Sequence, residues 1–203
     1  MVKREDQKAL LKGKILSAAR EVFTEEGFES ATIGKIAQRA GVGLGTAYNY
    51  FESKEDLFIL AMADELVGTA ANDPQSDVSS GGSPWEIVSA MVLGNVRRLN
   101  FFGKKIWRVT LSSIFKSMKS DHPVIRELIR ADYRFMGNIA AKLEDLKKAD
   151  RLTESFSTET AVNLIYGAVM FNLMSYVYEE DRTFDEACHR IEESIRFVVG
   201  EKV

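Results

Sequence analysis

The sequence predicts an all-α fold: an N-terminal three-helix helix-turn-helix domain over residues 1–53, then a C-terminal helical bundle of about six helices over residues 54–203. Three observations predict it. Apolar residues recur at three- and four-residue spacings almost throughout, with no long alternating run. The three prolines, Pro74, Pro84 and Pro123, all stand where that periodicity lapses. Helix-start signatures precede several of the periodic runs.

Composition narrows the function classes. With 203 residues and 45% apolar content the chain can bury a core larger than one small domain needs. One cysteine, Cys188, rules out an intrachain disulfide framework and fits a reducing cytoplasm, the expected location. His122 and His189 are the only histidines, and Cys188 beside His189 does not match zinc-ligand spacing, so no metal is expected. A Gly-rich phosphate loop at a strand-to-helix turn and a nucleophile elbow are both missing; no catalytic residue and no cofactor are expected. The net charge of −3 does not suit binding nucleic acid by bulk attraction. The charge is uneven, however: +2 through Lys54 and −5 beyond it.

The elements follow in order. Ile15, Ala18, Ala19, Val22 and Phe23 form one stripe that buries the first helix, with Gly27 placed to end it in a left-handed cap. A short helix runs from about Ile33 to Ala40. Ser53 caps a helix that continues to about Ala70, and the polar stretch from Asn72 to Gly82 reads as a surface loop. Ser83-Pro84-Trp85-Glu86 is a capping box with proline at the first helical position, opening a helix to about Phe102. Gly103 separates it from the next, which ends near Ser120. Further helices start near Pro123, after Ser157, and at the Thr183–Glu186 capping box.

The stretch from Ala31 to Phe51 carries the chemistry. Two short helices meeting at a wide angle need a small residue at the crossing, a glycine in the turn and an apolar plug, which Ala37, Gly41 and Val42 supply. Ala47 and Phe51, one turn apart, anchor the second helix inward. Its outward face then holds Thr46, Tyr48 and Asn49, with Tyr50 at the margin. Hydroxyl, amide and aromatic groups in place of the usual Lys and Glu suit phosphate oxygens and base edges in a major groove. Asn49 is the expected base reader, because an amide pairs bidentately with adenine.

From about Ile15 to Leu57 the sequence resembles the N-terminal domain of the TetR family of transcription regulators. The resemblance rests on Ile15, Ala18, Ala19, Phe23, Gly27, Phe28, Thr32, Ile36, Ala37, Ala40, Gly41, Val42, Gly45, Thr46, Tyr48, Tyr50, Phe51, Lys54 and Leu57. It implies that Thr32, Thr46, Tyr48, Tyr50 and Lys54 face DNA, chiefly its backbone. The sequence departs from the family at Gly43 and Leu44, where polar residues are usual, so base contact is not expected there. The family resemblance further implies a repressor that binds a palindromic operator as a homodimer and is released by a small-molecule effector.

For the remainder, the family's six further helices form a ligand-binding and dimerisation domain, and helices beginning near Lys54, Pro84, Lys104, Pro123, Thr158 and Phe184 match that layout. Phe101, Phe102, Trp107, Phe115, Tyr133, Met136, Tyr166 and Phe171 are the expected lining of an apolar effector pocket. The helix from Ser157 to Glu180 is apolar on nearly all sides, so it must be covered on two faces; Asn163 and Asn172 and the lack of basic anchors argue against a membrane span. Val162, Ile165, Ala168 and Val169, with Ile191 and Ile195 of the last helix, are accordingly the expected dimer interface.

Overall fold

Five of the helices begin at a local capping signal in the sequence. A computed structural model describes residues 4–67, 81–100, 103–116 and 123–200. Among them all regular structure is helical: α1 (Arg4–Ser30), α2 (Ile33–Ala40), α3 (Leu44–Tyr48), α4 (Lys54–Val67), α5 (Pro84–Leu99), α6 (Gly103–Lys116), α7 (Pro123–Lys148), α8 (Thr158–Tyr178) and α9 (Phe184–Val199). Thr32 caps α2 by accepting the Lys35 N–H, and Ser53 Oγ caps α4 by accepting that of Asp56 at 3.0 Å. At the predicted capping boxes, the Glu86 and Glu186 carboxylates accept the backbone N–H of Ser83 and Thr183 at 2.6 and 2.8 Å. These bonds hold both carboxyls below the ordinary carboxylate range. The loop expected from Asn72 to Gly82 lies mostly outside the described residues.

One expectation for the first helix, its end, is corrected. The helix starts at Arg4, well ahead of Ile15, its first buried residue. Gly27 does take a positive φ of 76°, but with ψ at 163° it bends the helix instead of capping it, and helical turns continue to Ser30. The boundary between domains also differs from the expected break at residue 53. The chain divides into two compact units, one of Met1–Asp64 with Ile106–Leu128 and the other of Glu65–Lys105 with Ile129–Val203.

In the first unit Ile15, Ala19, Val22, Phe23, Ile36 and Leu57 are buried, and the rings of Phe23, Phe28 and Phe58 pack on one another at 5.0–5.8 Å. In the second unit Ile87, Val88, Val92 and Val96 of α5, Ile139, Leu143 and Leu146 of α7, and inward residues of α8 and α9 form one core. Among the described residues α8 is the one helix long and apolar enough to cross a membrane; Ala161, Val162, Ile165 and Val169 bury one of its faces in this core, and Tyr176 and Val177 are also buried. Asn172, also buried, donates to the Ala168 carbonyl one turn back, so its amide is partly satisfied without leaving the core.

Candidate nucleic-acid interface

The turn between α2 and α3 is set by Gly41. Its φ of 67° and ψ of 33° are left-handed, the Val42 N–H returns to the Ala37 carbonyl at 3.0 Å, and the Gly41 N–H to that of Gln38 at 3.1 Å. This paired closure ends α2 sharply and frees the chain to start α3 two residues later. Ala47 is fully buried and Phe51 nearly so, which pins α3 by one face as expected. Tyr48 is 54% exposed, Asn49 is exposed, and Thr46 and Tyr50 are half-buried at the edge. Thr32 is exposed, and its oxygen accepts the Lys35 N–H while its hydroxyl proton remains available to an acceptor outside.

Leu44, not expected to contact bases because it is not polar, is 50% exposed one turn before Tyr48 on the same face. The i, i+4 spacing was the signal that could have found it. An apolar side chain on such a face fits the methyl group of thymine.

Lys54 departs from expectation. Its ammonium donates to the carbonyls of Phe28, Ala31 and Glu29 at 2.9, 3.3 and 3.5 Å and lies 4.3 Å from the centre of the Phe28 ring. The physical reason is the end of α1, where carbonyls left without helical partners and the negative end of the helix dipole attract a cation. Lys54 therefore clamps α1 to the start of α4 instead of facing outward. The cations of α2 are also engaged: Arg39 holds Glu25 through both terminal nitrogens, at 2.9 and 3.1 Å, and reaches Glu21 at 3.3 Å, while Lys35 meets Glu26 at 2.6 Å. Hydrogen bonding to Arg39 lowers the Glu25 pKa.

Of the eight expected pocket residues, four, Tyr133, Met136, Tyr166 and Phe171, lie among the described residues of the second unit. Phe101 and Phe102 lie outside the described residues, as does the side chain of Phe115, and Trp107 and Phe115 belong to the stretch assigned to the first unit. Tyr133 and Phe171 are 71% and 67% exposed. Met136 packs against the core, and Tyr166 is half-buried beside Phe135, hydrogen-bonded to Asp132. Burial raises the pKa of both the Tyr166 phenol and the Asp132 carboxyl.

Five of the six expected interface residues, Val162, Ile165, Val169, Ile191 and Ile195, are buried in the protomer's own core, and Ala168 is half-buried. The reason is that α8 and α9 pack on each other through these stripes. The large apolar groups left outside are Leu164, Met170, Phe171 and Tyr178 of α8 and Phe197 of α9, the last 90% exposed.

Residues 15–61 match the family model of bacterial regulatory proteins, tetR family. The chain is 24% identical over 169 residues to the fatty acid metabolism regulator protein of Bacillus subtilis, covering 83% of this chain and 84% of that one. It is also 24% identical to the transcriptional repressor KstR of Mycolicibacterium smegmatis, covering 92% and 86%. Among solved structures, FadR of Thermus thermophilus in complex with lauroyl-CoA is similar, with a TM-score of 0.62 at 21% identity and 95% of each chain covered. Residues 15–61 thus carry a DNA-binding domain of the TetR family type, and over most of its length the chain is similar to DNA-binding transcriptional regulators with the same helical fold.

Proposed function

We propose that the protein is a cytoplasmic repressor, not an enzyme, that binds a palindromic operator as a homodimer and is released by an apolar small-molecule effector. The observation that carries the DNA-binding part is the outward face of α3. Leu44, Tyr48 and Asn49 are exposed on a helix anchored by the buried Ala47 and Phe51. In this reading Thr32, Thr46, Tyr48 and Tyr50 position the protein on phosphates, Asn49 reads adenine and Leu44 meets a thymine methyl. Asn49→Ala should weaken binding to the selected operator by about 1–3 kcal/mol while leaving random DNA unaffected. Equal losses on both would remove Asn49 as a reader.

The outward groups of α8 and α9 support the dimer. Leu164, Gly167, Phe171 and Tyr178 share one face of α8, and beyond α8's own backbone no atom of the described residues lies within 4 Å of a Cβ built on Gly167, so a second backbone can approach there. Phe171→Glu should give a folded monomer by light scattering. A dimer that persists would place the interface elsewhere.

For the effector, fatty acyl thioesters are the class to test first. The support is the similarity to regulators solved with stearoyl-CoA and lauroyl-CoA. Reciprocity supplies the test: if acyl-CoA lowers operator affinity tenfold, operator must lower acyl-CoA affinity tenfold, a coupling of about 1.4 kcal/mol. Acyl-CoA binding that is indifferent to operator would exclude it as the releasing ligand.

A further inference from the structure

α1 begins eleven residues before its first buried side chain, Ile15, and the intervening residues 6–10, 13 and 14 are exposed. Among residues 6–14 only Leu11 and Lys12 are half-buried, so the extension gains little from packing and most of its surface is left for something outside the unit. Its chemistry is basic. Lys8 and Lys12 stand four residues apart, and so on one face of the helix, and neither ammonium has a partner among the described residues.

The rest of the helix-turn-helix makes this placement informative. Lys35 and Arg39 are neutralised by carboxylates of α1, and Lys54 is held by three carbonyls. The cations nearest the recognition elements are thus already partnered, while a protein held on a duplex still needs positive charge against phosphate.

Direction favours the extension. Lys35 pairs with Glu26 while Arg39 pairs with Glu25 and Glu21, so α1 and α2 run past each other in opposite senses. The turn after Arg39 and the start of α3 therefore lie nearer the N-terminal end of α1 than Lys35 does. From Glu21 to Lys12 and Lys8 the helix advances roughly 13 and 20 Å at about 1.5 Å per residue. We propose that this extension is a second DNA-contacting element, its Lys8–Lys12 face binding the phosphate backbone that flanks the base pairs under α3. The proposal rests on the DNA-binding reading above.

The test uses the full chain and a duplex selected from a random-sequence pool by the wild-type protein, with affinity measured across a salt series. A K8Q/K12Q double variant should keep the wild-type melting temperature. Its slope of log affinity against log salt should be smaller by about 1.8 per protomer, since each phosphate contact contributes about 0.9. The loss should be the same on selected and random duplexes, should vanish on a selected duplex trimmed of its flanking base pairs, and should be restored by K8R/K12R. An unchanged slope for K8Q/K12Q, with the wild type bound, overturns this proposal and leaves the DNA-binding reading intact. A wild-type protein that selects no duplex at all overturns both.

Discussion

In the first unit Lys54 lies over the Phe28 ring and donates to three carbonyls at the end of α1; in the second, Lys104 lies 5.0 Å from the centre of the Tyr176 ring and donates to the carbonyls of Glu179, Glu180 and Arg182 beyond α8. The two units thus finish a helix with the same device. They differ in what they leave outside. The first shows hydroxyl, amide and phenol groups around α3, whereas the second shows Leu164, Phe171 and Phe197. Local closure follows common rules, and the outward chemistry sets the kind of partner each unit suits.

The largest expected effect tests whether the second unit depends on its core. Leu143 is fully buried, and Leu143→Ala should cost about 2–5 kcal/mol in denaturant unfolding. Phe171→Ala, at an exposed site, should cost the isolated protomer almost nothing, and equal losses would erase the distinction between inner and outer faces.

Next come the clamps. Lys54→Met and Lys104→Met should each cost about 1–3 kcal/mol, because carbonyls lose a charged donor. Neither should change the salt dependence of DNA binding. A fall of about one unit in that slope for Lys54→Met would make Lys54 a phosphate contact and dissolve the parallel.

A smaller effect belongs to the turn. Gly41→Ala forces a Cβ into left-handed backbone at φ 67° and should cost about 1–2 kcal/mol, read in thermal unfolding. No loss would mean that the turn relaxes to another conformation.

The smallest concerns Asp132, whose carboxyl burial raises above the ordinary 3.8 even though the Tyr166 phenol pulls it down. An acid with a raised folded pKa contributes its stability fully below the unfolded value and loses it as pH rises through the folded one. Asp132→Asn cannot ionise and should gain stability relative to wild type over that rise. A difference that stays constant across a pH series of unfolding curves would show that Asp132 is not strained by burial.

The helices were legible because their signals are local. Thr32, Ser53, Ser83, Ser157 and Thr183 each cap within three residues, and Gly41 shapes its own turn. The anchored face of α3 was legible for the same reason, since Ala47 and Phe51 are one turn apart. Lys54 was not, because its carbonyl partners lie more than twenty positions earlier in the chain. Nor was the outward face of α8. When both faces of a helix are apolar, periodicity cannot say which one turns inward, and Ile165 and Val169 were read on the wrong side.

The ion pairs between α1 and α2 have a consequence for how such a regulator spends its time. Unpaired lysine and arginine grip any stretch of chromosome alike, so a strongly basic reader idles on sequence it does not recognise. Turning Lys35 and Arg39 onto Glu21, Glu25 and Glu26 removes part of that indiscriminate hold. If Asn49 reads a base as proposed, the contrast between the right site and the rest of the genome then depends more on it and its neighbours, and fewer copies per cell would suffice to keep one site occupied.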